Sequence, residues 1–107
     1  MRDSIKRKTQ KAFYKDALEC TELLSLGMEY FGFNERARKT MDKFYDYEYQ
    51  QGEIEEKIKK KLGSAYMAFL GKTNWRYRSD INNKVLFDKL SGELAEIKEE
   101  LRLNGRR

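Results

Sequence analysis

No proline occurs anywhere in the 107 residues. Average usage of about 5% would supply roughly five. Inside a helix a proline removes a backbone donor and clashes with the preceding turn, at about 3 kcal/mol, so its absence leaves helix length unrestricted. The apolar residues follow helical spacing. Phe13, Ala17, Cys20, Leu24, Met28 and Phe31 step by four, three, four, four and three, which is one face of a helix. Ala37, Met41 and Phe44 form a second stripe, and Ile54, Ile58, Leu62, Ala65 and Phe69 a third. A last one runs Leu86, Leu90, Leu94, Ile97 and Leu101, with Ile81 and Val85 on its first turns. No run of alternating β-branched residues between turn signals competes with this pattern. The expectation is an all-α fold in one domain, residues 1–107: an antiparallel bundle of three to four helices at about 4–31, 34–50, 53–71 and 80–103.

Local signals set the expected ends. Asp3 or Ser4 can accept a bond from the free first-turn amides and start the first helix. Gly32 fits a left-handed cap, with Phe33 folding back on the last turn, and Asn34 can cap the next helix. Residues 34–71 are either one kinked helix or two. Unbroken, they would run about 57 Å. Glu53, Glu55 and Glu56 suit the positive end of a new helix, which favours a break near Gly52. Gly71 ends that stretch, Ser79 or Asp80 can cap the last helix, and Asn104-Gly105 closes it. Tyr45, Tyr47 and Tyr49 would point three ways on a helix, so at least one should be exposed or covered by another helix or chain. A homodimer contact is one reading of that cluster.

Hydrophobic residues make up 39%, charged residues 38% and aromatics 13%, enough apolar bulk for a packed core. There is no His and one Cys, which removes His-based triads, a Cys–His pair, a zinc cluster and an internal disulfide. Cys20 reads as a buried reduced thiol. Di-metal bundle sites need Glu-x-x-His, and Gly63 and Gly71 lack phosphate-loop spacing, so neither an enzyme nor a metal or other cofactor is expected. The polar start has no secretory h-region, and the longest nearly apolar stretch, Ala65 to Leu70, is too short to span a bilayer. The expected location is the cytoplasm, away from membrane.

The charge is segregated. Residues 1–15 carry six basic groups and one acidic, residues 16–53 four and nine, residues 54–78 seven and two, and residues 79–107 six of each. Two blocks of net +5 thus flank one of net −5, and helices that double back bring the basic blocks into one half of the molecule. Clustered cations repel, and a polyanion that neutralises them relieves the repulsion and releases its counterions. The expected partner is nucleic acid, DNA or RNA, held by Lys6, Arg7, Lys8, Lys11, Lys57, Lys59, Lys60, Lys61, Arg76 and Arg78. Trp75 and Tyr77, interleaved with those arginines, can stack on bases. The alternative is a protein-interaction or inhibitor module that binds an acidic protein through the same basic residues and aromatics. Solvated lysine faces paired with local glutamates are the plainest reading of all. A helix-turn-helix over Leu24 to Lys43 fails in detail, because Arg38 and Met28 fall where a buried β-branched and a small residue belong.

Overall fold

The structure, a computed structural model, describes residues 7–50, 52–71 and 81–105. Four helices pack against each other in an all-α bundle: α1 Gln10–Glu29, α2 Asn34–Asp46, α3 Glu53–Leu70 and α4 Ile81–Asn104. A 3-10 turn, Phe31–Phe33, joins α1 to α2. Two short extended pieces, β1 Arg7–Lys8 and β2 Glu48–Tyr49, pair in parallel with Arg7 opposite Glu48 and Lys8 opposite Tyr49.

Contacts between side chains give the helix directions. Gln10 and Tyr14 of α1 bond Glu55 of α3, while Gly27 near the other end of α1 lies against Phe69 near the end of α3. These two helices therefore run parallel. Helix α2 returns along α1, placing Cys20 beside the Thr40 carbonyl and Phe13 beside Phe44. Helix α4 runs back against both α1 and α3, pairing Lys98 with Glu22 and Lys61 with Glu100. Helix α1 is consequently central, and it buries Thr21, Leu23 and Gly27 in addition to the expected Phe13, Ala17, Cys20, Leu24 and Met28.

The core is formed by these residues with Ala37, Met41 and Phe44 of α2, Ile58, Leu62, Ala65 and Phe69 of α3, and Phe87, Leu90, Leu94, Ile97 and Leu101 of α4. Two stripes are shifted from the expected ones. Ile54 is exposed and Glu55 takes the inward position on the first turn of α3. On α4 the stripe passes through Phe87, leaving Val85 and Leu86 exposed. The side chains of Phe31 and Ile81 lie outside the described residues.

Several expected ends are corrected. Helix α1 begins at Gln10, because Thr9 is its cap, with Oγ1 accepting from the Ala12 amide at 3.1 Å. Arg7–Lys8 are held extended by pairing with Glu48–Tyr49, so the helix does not reach back through them; Asp3 and Ser4 themselves lie outside the described residues. Gly32 is not left-handed, since among the described residues no glycine has positive φ. Tyr30 leaves α1 extended, and the 3-10 turn leads directly into α2 with Phe33, not Asn34, at the cap position. Helix α2 stops at Asp46, before the expected residue 50, because Glu48–Tyr49 pairs with the N-terminal segment. The break at Gly52 is present, and the single kinked helix over 34–71 is not. Ser79 and Asp80 lie outside the described residues.

Two glycines make the packing testable. At Gly27 an added Cβ would meet the Phe69 ring at 3.0 Å, so α1 and α3 approach as they do because that position lacks a side chain. Around Gly92, exposed on α4, nothing lies within 4 Å. Gly27→Ala is expected to destabilise by about 1–3 kcal/mol through overpacking, and Gly92→Ala to stabilise by about 0.5–1 kcal/mol through helix propensity. Denaturant unfolding of the two variants beside wild type checks both signs.

Candidate functional site

The end of the bundle where α1 and α3 begin is built around a buried carboxylate. Glu55 is 3% exposed. It accepts hydrogen bonds from the Tyr14 hydroxyl, from Gln10 Nε2 at 2.7 Å and from the Gly52 amide at 2.6 Å. The last of these is half of a capping box, in which a glutamate three residues into a helix satisfies the cap amide. Burial alone would raise the Glu55 pKa, but the bonds from Tyr14, Gln10 and the backbone amides of Gly52 and Glu55 outweigh it and hold the carboxyl below its usual value.

A second carboxylate fastens the extended segment on the α2 side. Asp16 Oδ2 accepts from the Tyr49 hydroxyl at 2.7 Å and from Lys8 Nζ at 3.2 Å. Lys8 also lies 3.8 Å from the centre of the Tyr47 ring, and Tyr49 packs edge-on to Phe13. Cys20 lies beneath this cluster, fully buried, with its thiol pushed up to about 12 by burial and by the nearby Glu19 and Asp16 charges.

The expected basic residues are distributed around this end. Lys8 is occupied by Asp16 and Tyr47. Lys61 is paired with Glu100 at 2.5 Å, which holds its ammonium above the usual pKa. Lys59 lies over the Tyr45 ring, whose hydroxyl donates to the Lys59 carbonyl at 2.8 Å. Lys11, Lys57 and Lys60 are exposed and make no ion pair among the described residues. Lys6, Trp75, Arg76, Tyr77 and Arg78, and the Arg7 side chain, lie outside the described residues.

A groove of about 690 Å³ runs between the start of α1 and the end of α4. Lys11, Lys15 and Arg102 line it together with Tyr14, Leu18 and Leu101, and Glu55 lies at its floor. Lys15 makes no ion pair among the described residues, whereas Arg102 is held by Glu99 at 2.8 Å. Neither Lys15 nor Arg102 was among the expected site residues. Lys15 was accessible to that reasoning, since it lies one helical turn from Lys11 and shares its face. Arg102 required knowing that α4 ends where α1 begins.

Among the described residues no group of three or more Cys, Asp or Glu is placed to hold a metal ion. No helix of the described residues is long and apolar enough to cross a membrane. Compared with known proteins, the chain matches no family model, no curated protein and no solved structure.

The pH response of Glu55 follows from its lowered pKa. Its contribution to stability is fully present above the ordinary value of 4.5 and is lost as pH falls through the folded-state value. Glu55→Gln is expected to be less stable than wild type at neutral pH by about 1–3 kcal/mol, and the gap should close as pH drops below that point. Unfolding both proteins between neutral and acid pH tests this, and a gap that stays constant to acid pH contradicts it.

Proposed function

We propose that the chain is a small cytoplasmic helical binding protein without catalytic activity, whose partner is nucleic acid held through its phosphates. One observation supports this most: Lys11, Lys15, Lys57 and Lys60 are exposed and make no ion pair among the described residues, and they lie in the N-terminal halves of two parallel helices whose starts are joined by Glu55. Four uncompensated ammonium groups at one end of a small bundle repel each other weakly through solvent. Phosphates relieve that repulsion, and the condensed counterions they release supply much of the binding free energy.

Lys8 and Lys61 contribute less to such contacts than the sequence implied. A phosphate on either would have to displace Asp16 or Glu100. Among the expected lysines, the phosphate-contacting role therefore passes to Lys11, Lys57 and Lys60, and Lys15 joins them. Arg76 and Arg78 retain their proposed phosphate role, and Trp75 and Tyr77 their stacking role, on sequence grounds alone.

The salt dependence of binding tests the proposal. Labelled single-stranded and duplex DNA and RNA of mixed sequence are titrated at about 50 and about 200 mM salt. Four phosphate contacts predict an affinity drop across that range of about 50-fold for a single strand and about 150-fold for duplex DNA. Absence of binding to every nucleic acid at the lower salt contradicts the proposal.

A further inference from the structure

These four lysines fall on two surfaces, and the surfaces differ in what else they present. Lys57 and Lys60 stand on the exposed side of α3. Lys11 and Lys15 line a concave groove whose walls also carry Leu18, Leu101 and the Tyr14 ring. Its volume of about 690 Å³ falls within the roughly 300–1,000 Å³ typical of ligand sites. We infer that this α1/α4 groove seats a single-stranded stretch of nucleic acid, with phosphates on Lys11 and Lys15 and a base against Tyr14 and Leu18. The inference rests on the phosphate-binding proposal and assigns that proposal a place and a substrate class.

Charge and shape both favour a single strand. A duplex stacks its bases on one another and presents phosphates outward, so it has no apolar face to offer a groove lined by leucine and tyrosine. An unpaired strand does: each base has a π-face that stacks on aromatic and apolar side chains irrespective of sequence. Lys11 and Lys15 lie one turn apart, about 6 Å along the helix axis, so they form a short cationic rail beside the Tyr14 ring and Leu18. Arg102 stands on the opposite wall, held by Glu99 Oε1 and Oε2 at 2.8 and 3.0 Å. The Glu55 carboxylate at the floor does not cancel these charges by pairing, because its bonds go to Tyr14, Gln10 and Gly52. From Gly105, which lines the groove, the sequence continues as Arg106-Arg107.

Two variants and one altered ligand test the inference. Fluorescence anisotropy at low salt measures binding of the full chain to a mixed-sequence single-stranded oligonucleotide, to its duplex and to an abasic strand of equal length. Wild type is expected to bind the single strand at least about fivefold more tightly than the abasic strand, the yield of one stacked base. Lys11→Glu with Lys15→Glu is expected to weaken single-strand binding at least tenfold, and Lys57→Glu with Lys60→Glu to weaken it less. All four positions are exposed, and circular dichroism confirms that each variant is folded. Equal affinity for intact and abasic strands overturns the inference, as does full binding by the Lys11/Lys15 variant. If wild type binds but the Lys57/Lys60 variant is the one that fails, the groove is excluded while phosphate binding stands. If no nucleic acid binds at all, the broader proposal fails with it.

Discussion

A carboxylate with almost no solvent, bonded to a hydroxyl, an amide and a backbone N–H, fixes how this bundle closes at one end. Ionised carboxylates are buried only where several donors receive them, since the cost of losing water is otherwise several kcal/mol. Glu55, on α3, finds those donors on α1 and on the turn between α2 and α3. Satisfying it sets the parallel register of α1 and α3. The same requirement brings Gly52, the point where the chain turns, against the glutamate side chain. At the other end of the pair, Gly27 lets the Phe69 ring approach the α1 backbone, so a polar anchor and an apolar contact together hold two helices that are not neighbours in sequence.

This arrangement decides what the charges can do. Asp16 and Glu55 are turned toward the protein and act as internal fasteners, one for the extended N-terminal segment and one for the helix starts. Lys8 and Lys61 are neutralised by Asp16 and Glu100, whereas Lys11, Lys15, Lys57 and Lys60 make no ion pair among the described residues. The distribution of paired and unpaired cations around this end is therefore a product of packing, and it puts Lys11 with Lys15 and Lys57 with Lys60 on different helices. The seam between α2 and α3 is spanned by tyrosines in place of close backbone contact. Tyr45 reaches the Lys59 carbonyl past Gly63, and Tyr66 donates to Asp42 at 3.0 Å.

Periodicity made the helices legible, because an amphipathic stripe is a local property of the chain. Most of the core of α1, α2 and α3 followed from it, as did the break at Gly52 from the three glutamates behind it. What was not legible depended on partners remote in sequence. Tyr49 leaves the helical pattern because Asp16, 33 residues earlier, receives its hydroxyl and Lys8 pairs with its backbone. Thr9 displaces Asp3 and Ser4 as the helix start for the same reason, since the segment before it is held extended. Glu55 looked like a helix-end charge and also proved to be a buried junction, a role visible only when Gln10 and Tyr14 arrive beside it. In the groove, Lys11 was expected, Lys15 was missed although its spacing from Lys11 was legible, and Arg102 came only with the direction of α4.

The junction is tested most directly by a double-mutant cycle on Tyr14→Phe and Glu55→Gln, with unfolding free energies measured for both single variants and the double. Removing either partner leaves the other with an unmet bond, so the two losses should overlap. The predicted coupling is about 1–2 kcal/mol at neutral pH, within the range for groups in one hydrogen-bond network. Losses that simply add, with coupling under about 0.5 kcal/mol, would show that Glu55 and Tyr14 do not join α1 to α3 and would contradict the account.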